Sequence, residues 1–321
     1  MTGFRIPTLS DIMNARRNVR RFLNPTPLFH ARRLSRKLGF EAYLKLENLQ
    51  PVRSFKVRGG VHYMATMLDE ALGRGVITAS TGNHAQSIAY AGMLYGVDVK
   101  IVMPKSAPKI KVEAVRELGA EVIFWGDYYE EAREYAEKLA EERGILYIHG
   151  INEPILYEGV GTMHLEVLEE LPYVDAVINP IGGGSGAASG VIVYKSVNPR
   201  IRVYGVQAEA APAFYHSWKS GRISKVEAKT MAEGLATSMG YELPLQILRD
   251  RLDDVILVGD EEMMAAVRLL LETTGQLAEL AGAASTAAAI KMADRLHGLK
   301  VVLMVTGGNI PLEQLTRILG G

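Results

Sequence analysis

The chain has 321 residues, 48% apolar and 22% charged, and its 36 Lys and Arg residues balance its 36 Asp and Glu residues. This balance, with no basic cluster, argues against a nucleic-acid or anionic-membrane partner. Because the sequence contains no cysteine, it excludes disulfides, thiolate nucleophiles and cysteine-ligated metals. No apolar run reaches the roughly 20 residues of a membrane span, and the N-terminus lacks a signal-peptide core, so we expect a cytoplasmic protein.

The predicted elements alternate between apolar strands and amphipathic helices. The strands cover residues 41–47, 76–80, 97–104, 120–126, 175–181, 201–208, 254–259 and 301–308. Strands that are apolar throughout and alternate with helices predict an α/β fold with mainly parallel sheets that helices cover on both faces. Their number favours two sheets in two domains. We expect a large domain of residues 1–48 and 150–321 and a small domain of residues 49–149.

Local signals predict several helix ends and one exposed side chain. Gly119 and Gly144 end the helices that follow the strands at 97–104 and 120–126. Asp127 and Glu130 have the spacing of a capping box at the start of the second helix. Lys45 alternates outward from its strand, so we expect it on the surface.

The glycine-rich turn from Asn179 to Gly190, "NPIGGGSGAASG", follows one strand and opens a helix. Glycines let backbone N–H groups turn inward, and the start of the helix adds positive potential. The turn therefore predicts a phosphate site. The alternative is a tight strand-to-helix turn that binds no ligand. No lysine follows in the P-loop pattern, which argues against a nucleoside triphosphate.

Lys56 stands in "SFKVRGG", where a strand gives way to a helix. Most lysines at a helix start are solvated. Here we expect Arg53 and Arg58 to disfavour the protonated amine and to lower the pKa of Lys56 in a partly dry site. A neutral amine is what Schiff-base chemistry requires.

Two further strand ends have residues suited to a ligand. "STGNHAQS", Ser80 to Ser87, begins a helix with small hydroxyls and amides, which suits a carboxylate, although Ser80 or Thr81 could be an ordinary helix cap. "MVTGGN" ends a strand at Thr306, which alone would be a strand-end threonine without chemistry.

A phosphate site, a lysine with a lowered pKa and a loop suited to binding a carboxylate together indicate pyridoxal phosphate, which has both an aldehyde and a phosphate. Two classes stay open as alternatives. Gly184, Gly186 and Ser189 approximate a dinucleotide fingerprint with Glu209 about 20 residues on, which would suit an NAD-dependent oxidoreductase. A non-catalytic amino-acid-binding module would bind its ligand without a covalent cofactor.

The motifs "SFKVRGG", "STGNHAQ", "GGGSG" and "TGGN" resemble, in order and spacing, those of the fold-type II pyridoxal-phosphate enzymes. The chain is most similar to the branch of threonine/serine dehydratases and serine racemases. This resemblance implies a tryptophan-synthase-β-like fold, a homodimer, and conversion of L-threonine or L-serine to a 2-keto acid and ammonia. Serine racemase and hydroxyaspartate dehydratase are alternatives within the same class.

The resemblance also implies roles for individual residues. Lys56 would carry the cofactor and act as the catalytic base, Phe55 would pack on its ring, and Thr306 would meet the pyridine nitrogen. The other implied cofactor-binding residues are Asn83, Gly182, Gly183, Gly184, Ser185, Gly186, Gly234 and Glu279. The implied substrate-carboxylate residues are Ser80, Thr81, Gly82 and His84, with Thr81 a second catalytic candidate.

The chain departs from the family pattern at informative positions. Thr81 stands where racemases have a serine acid/base, so its methyl group argues against racemisation. Tyr215 replaces the aspartate that, with a glutamate and a carbonyl matched by Glu209 and Ala213, binds a divalent cation in some relatives. We therefore expect no metal, and no regulation through a C-terminal domain.

Overall fold

Ten strands form two sheets in a computed structural model that describes residues 3–320. The strands are β1 (Leu28–His30), β2 (Glu41–Leu46), β3 (Val76–Ala79), β4 (Val99–Met103), β5 (Glu121–Phe124), β6 (Leu146–Tyr147), β7 (Ala176–Pro180), β8 (Arg202–Ala208), β9 (Asp254–Val258) and β10 (Lys300–Val305).

Fifteen helices connect these strands within residues 3–320. They are α1 (Leu9–Arg20), α2 (Arg32–Leu38), α3 (Lys56–Thr66), α4 (Leu68–Arg74), α5 (Asn83–Tyr95), α6 (Lys109–Arg116), α7 (Tyr129–Arg143), α8 (Pro154–Glu170), α9 (Ser185–Val197), α10 (Ala213–Ser220), α11 (Glu242–Leu248), α12 (Asp260–Thr274), α13 (Leu280–Lys291), α14 (Ala293–Leu296) and α15 (Leu312–Gly320). Short 3-10 turns cover Glu47–Leu49 and Glu233–Leu235.

Both sheets are mainly parallel, as the apolar strand pattern predicts. The larger sheet has the order β1-β2-β10-β7-β8-β9, in which only β1 runs antiparallel to its neighbour. The smaller sheet has the order β5-β4-β3-β6 and is parallel throughout. The α/β prediction with two sheets is confirmed, and the domain boundaries remain a prediction.

Helices cover both faces of each sheet. Helices α3, α5, α8 and α9 contribute to one continuous apolar core that reaches both sheets. A second core lies between the larger sheet and α12 and α13, and a third lies between the smaller sheet and α7. This layering explains why the strands are apolar on both faces.

Lys45 is not on the surface, so this prediction is wrong. Its side chain is 0% exposed, and its Nζ donates to a Glu166 carboxylate oxygen at 2.7 Å and to the Thr26 carbonyl at 2.6 Å. Strand alternation indicates exposure only when one face of a sheet meets water. Here β2 is an inner strand with helices on both sides, so the outward-pointing lysine is buried as well.

The predicted helix boundaries are close to those observed. Gly144 ends α7 with φ of +65°, as expected, and Gly119, with φ of +84°, follows the end of α6. The capping box lies one residue later than predicted, because Glu131 rather than Glu130 accepts from the N–H groups of Asp127 and Tyr128. Among the helices that residues 3–320 form, none has both the length and the apolar character of a bilayer-spanning segment.

Candidate active site

Every residue that the resemblance assigns to the cofactor, the substrate or catalysis lines one cavity of about 710 Å³. The cavity lies where the carboxyl ends of β3, β7 and β10 meet the start of α3. This is the usual place for a ligand in a parallel α/β sheet, because the loops that leave the strands converge there. Thus the structure brings together stretches that are more than 200 residues apart in the chain.

Lys56 is the first residue of α3, and its amine reaches into the cavity. Its Nζ donates to Ser185 Oγ at 2.9 Å and lies 5.2 Å from the centroid of the Phe55 ring. Burial lowers the pKa of Lys56 to about 8. The predicted direction of this shift is therefore confirmed.

The predicted cause of the shift is wrong. Arg58 points away from the cavity and is fully buried against the carboxylates of Glu47 and Glu166, so its charge is compensated. Arg53 is exposed, with a left-handed φ of +54°. Desolvation, rather than repulsion by arginines, holds the pKa of Lys56 down.

Backbone contacts fix the segment that presents Lys56. Phe55 N–H donates to the Thr306 carbonyl at 3.1 Å, and Ser54 forms an isolated antiparallel bridge with Gly307. On the other side, Ser87 Oγ donates to the Lys56 carbonyl at 2.6 Å. The start of α3 is therefore joined to the end of β10 and to α5, two elements that also border the cavity.

The glycine loop, residues 182–186, joins β7 to α9. Gly184 adopts a φ of +92°, which only glycine adopts readily, and a Cβ at Gly182 would overlap the Gly234 carbonyl. Within residues 3–320, no acceptor receives a hydrogen bond from the backbone N–H groups of residues 182–186. Five free donors at a helix start form a site for an anion.

The segment from Ser80 to His84 forms a second helix start that lines the same cavity as the glycine loop. Ser80 Oγ accepts from the N–H groups of Gly82 and Ala85 at 3.2 and 3.3 Å, so Ser80 acts partly as a cap. The N–H groups of Thr81, Asn83 and His84 have no acceptor among the described residues. This leaves three donors for a ligand carboxylate.

His84 lines the same helix start as a neutral imidazole. Burial, with a smaller contribution from Lys56, lowers the pKa of His84 to about 3. The Thr78 hydroxyl donates its proton to the Ile148 carbonyl at 2.7 Å, and its oxygen lies 3.1 Å from His84 Nε2. His84 Nε2 is therefore the protonated nitrogen, and it donates to Thr78.

Asn309, Asn83 and Glu279 all line the cavity and are joined by hydrogen bonds. Asn309 Nδ2 donates to Asn83 Oδ1 at 2.7 Å, and Asn83 Nδ2 donates to Glu279 Oε1 at 2.8 Å. Burial raises the pKa of Glu279, although the Asn83 hydrogen bond and the charge of Lys111 oppose the shift. These two hydrogen bonds fix the orientation of the Asn83 amide.

The sequence analysis missed several residues that line the cavity. Lys111 from α6 forms an ion pair with Glu233, and both residues line the cavity. Tyr129 and Tyr241 come from α7 and from the residue before α11, and burial raises the pKa of both phenols. Their segments read as ordinary amphipathic surface, so no local signal could have identified them.

The residues considered for a cation do not converge on the cavity. Glu209 is exposed, and Tyr215 donates its backbone N–H to Gln207 Oε1 at 2.9 Å. Neither residue lines the cavity. Within residues 3–320, no three His, Asp or Glu side chains lie together as metal ligands could.

The residues present fit pyridoxal phosphate. The cofactor needs an amine for its aldehyde, and Lys56 places one 2.9 Å from the hydroxyl of the glycine loop. It needs donors for its phosphate, and the free N–H groups of residues 182–186 are such donors. The cavity volume also lies within the roughly 300–1,000 Å³ of small-molecule sites.

Comparisons with known proteins agree with this fit. Residues 19–307 match the family described as pyridoxal-phosphate dependent enzymes. The L-threonine ammonia-lyase of Thermotoga maritima is 40% identical over 97% of this chain and 78% of its own length. The L-threo-3-hydroxyaspartate ammonia-lyase of Saccharomyces cerevisiae is 33% identical over 98% of this chain and 97% of its own length.

The maize serine racemase structure superposes with a TM-score of 0.93 at 30% identity and covers 98% of both chains. The superposition confirms the predicted fold-type II architecture. The sequence identities, from 30% to 40%, are higher than two proteins need in order to share a fold. The family match favours pyridoxal phosphate over a dinucleotide as the cofactor. The chain therefore belongs to the pyridoxal-phosphate dependent enzymes.

Proposed function

We propose that the chain catalyses β-elimination on a β-hydroxy amino acid, converting L-threonine, or L-serine, to a 2-keto acid and ammonia. The observation that supports this best is the position of the Lys56 amine, 2.9 Å from Ser185 Oγ of the glycine loop, in a cavity that is also lined by a helix start with free N–H groups. The cavity thus combines a proton acceptor, an anion site and a carboxylate site. The Thermotoga maritima relative is an L-threonine ammonia-lyase.

We assign the cofactor's phosphate to the glycine loop and its aldehyde to Lys56. In this assignment Phe55 would contact the ring, Asn83 would hydrogen-bond the ring hydroxyl, and Gly234 and Glu279 would border the ring. Thr306 would meet the pyridine nitrogen with an uncharged hydroxyl, which would not hold a proton there as an aspartate would. Bound in this way, pyridoxal phosphate supplies an electron sink for the bond that breaks at Cα.

Lys56 takes the Cα proton of the substrate. With a pKa of about 8, about a tenth of these amines are neutral at pH 7, against about one in three thousand for an ordinary lysine. The Cβ–O bond then breaks, and the leaving hydroxide takes up the proton that Lys56 removed from Cα and departs as water. The released enamine tautomerises to an imine, which one water hydrolyses to the 2-keto acid and ammonia.

The helix start at residues 80–84 holds the substrate carboxylate. Its free N–H groups and the positive end of α5 favour an anion, and neutral His84 adds no charge. Carboxylate binding on this wall leaves Cα on the side of Lys56. We assign the side chain of the substrate to the part of the cavity lined by Tyr129 and Tyr241.

We expect the purified enzyme to prefer L-threonine over L-threo-3-hydroxyaspartate. Among the described residues no arginine lines the cavity, and its second cation, Lys111, is already paired with Glu233. A second substrate carboxylate would be desolvated without a free partner, so we expect kcat/KM to fall by about 10- to 100-fold. Coupled assays of keto acid release measure both values.

Two outcomes of this assay would count against the proposal. Absence of 2-oxobutanoate from L-threonine in the presence of the cofactor would refute the elimination itself. A higher kcat/KM for hydroxyaspartate would refute the substrate assignment while leaving the elimination intact.

Racemisation of serine is a second candidate, because the chain superposes on maize serine racemase. Thr81 lines the cavity and retains a hydroxyl, but it carries a methyl group that the serine of racemases lacks. We therefore propose elimination as the main reaction. Separation of D-serine from pyruvate after incubation with L-serine measures the balance between the two.

We further propose a cytoplasmic homodimer. The balanced charge, the absence of cysteine and the family resemblance support this assignment. Light scattering of the purified protein determines its oligomeric state directly.

A further inference from the structure

Four charged side chains form a buried network behind Lys56. They are Lys45, Glu47, Arg58 and Glu166, with exposed fractions of 0%, 0%, 0% and 4%. Two cations and two anions leave the network without net charge. None of the four lines the cavity, so none can contact the substrate or the cofactor directly.

Arg58 is the centre of this network. Its Nε and Nη2 donate to the two Glu47 oxygens at 2.7 and 2.8 Å. Its Nη1 and Nη2 donate to the two Glu166 oxygens at 2.7 and 2.8 Å. Lys45 Nζ completes the network with Glu166 at 2.7 Å. The planar guanidinium is therefore held on two edges by carboxylates from two different elements.

Arg58 lies two residues after Lys56, in the first turn of α3. Glu47 belongs to the 3-10 turn that follows β2, and Glu166 belongs to α8. The network thus ties the turn that carries Lys56 to the larger sheet and to α8. Close packing fixes the other side of this turn, because a Cβ at Gly59 would lie 2.8 Å from the Leu156 carbonyl.

Stability alone does not account for four buried charges. Desolvation of an ion pair offsets most of its attraction, and well-packed apolar side chains are often equally stable. A network with this geometry does, however, allow only one placement of the guanidinium. We propose that Arg58 and Glu47 are positioning residues, which set the place of the Lys56 amine relative to the glycine loop. This inference rests on the proposed role of Lys56 as proton acceptor.

Two charge-balanced double variants separate positioning from stability. Glu47→Gln/Arg58→Met removes the tie between α3 and the larger sheet but leaves the Lys45–Glu166 pair. The matched variant Lys45→Met/Glu166→Gln leaves the bidentate Arg58–Glu47 pair. Each removes one buried cation and one buried anion, so we expect similar decreases in Tm.

We expect different kinetic effects from the two variants as holoenzymes. Since a misplacement of about 1 Å can cost about 100-fold in rate, we expect kcat to fall about 100-fold in Glu47→Gln/Arg58→Met, with KM changed less than about threefold. In Lys45→Met/Glu166→Gln we expect kcat to fall less than about fivefold, because Arg58 keeps its main partner.

Acylation of Lys56 in the apoprotein is a second readout that does not depend on turnover. Peptide mass spectrometry across a pH series measures the midpoint of Lys56 reactivity. We expect this midpoint to rise by about one pH unit in Glu47→Gln/Arg58→Met, because a displaced amine is better solvated. We expect no rise in Lys45→Met/Glu166→Gln.

Equal losses of kcat in the two variants, or an unchanged acylation midpoint in Glu47→Gln/Arg58→Met, would overturn the inference. Should this variant not fold, Arg58→Lys keeps the charge but loses the planar fork. If Arg58→Lys had the kcat and the acylation midpoint of the parent, the inference would likewise be overturned. Failure of the proposed function is distinguishable, because the parent protein would then release no keto acid while the acylation profiles could still be compared.

Discussion

In Lys56→Met the rate of keto acid release from L-threonine should fall by about 10²- to 10⁴-fold, the usual contribution of a general base. The substitution keeps the unbranched apolar stem of the side chain but removes the amine that lies 2.9 Å from Ser185 Oγ. Steady-state assays with saturating cofactor measure the loss. Lys138→Met, at a surface position of α7 where the side chain is 69% exposed, is the control and should keep the parent rate.

The same substitution should stabilise the apoprotein near neutral pH. The pKa of Lys56 is about 8 in the folded protein, against 10.5 for an ordinary lysine. Between these values the unfolded chain binds a proton that the folded chain does not, so the stability of the parent rises with pH through this range. Below pH 8 the full cost of the buried charge is present.

We therefore expect the Tm of apo Lys56→Met to exceed that of the parent by about 2 °C or more at pH 7. The difference should shrink as the pH rises from 8 to 10.5, as scanning calorimetry at several pH values can measure. A lower Tm together with an unchanged rate of keto acid release would contradict both the buried amine and its catalytic role.

Gly182→Ala should weaken cofactor binding by about 10- to 100-fold, which corresponds to about 1.4–2.7 kcal/mol. A Cβ at this position would overlap the Gly234 carbonyl, so either the glycine loop or the turn at Glu233–Leu235 must move. Both segments line the cavity, and the free N–H groups of the glycine loop would no longer converge. Fluorescence titration of the apoprotein with pyridoxal phosphate measures the dissociation constant.

Gly73→Ala is the matched control for this experiment. Gly73 lies in α4, and no atom lies within 4 Å of its added Cβ. Alanine favours a helix interior over glycine, so we expect slightly higher stability and unchanged cofactor affinity. Parent affinity in a folded Gly182→Ala protein would show that the glycine loop is not the phosphate site.

The sequence predicts the fold well because buried parallel strands leave a strong local signal. Apolar runs, or the alternating pattern of β2, identify every strand except β1 and β6. These two have three and two residues, too few to show any pattern. The site is predictable for a similar reason, because a ligand at the carboxyl edge of a parallel sheet contacts the loops that follow the strands. Lys56, Ser80 and Thr306 all follow such strands or lie beside them.

Features that depend on distant pairing could not be predicted from the sequence. Lys45 and Glu166 are 121 residues apart, and only the packing of α8 on the larger sheet makes them partners. Lys111 reaches the cavity from a helix whose sequence resembles ordinary surface. The cause of the Lys56 pKa shift is also not visible in the sequence, because Arg58 is close to Lys56 in sequence but points toward buried carboxylates.

Borohydride reduction of the purified holoenzyme, followed by peptide mapping, tests the central claim most directly. Reduction makes the covalent link between cofactor and lysine permanent. We expect loss of the yellow colour and a single pyridoxyl-labelled peptide with the label on Lys56. A label on Lys111, the other lysine that lines the cavity, or a protein that carries no reducible cofactor, would contradict the account.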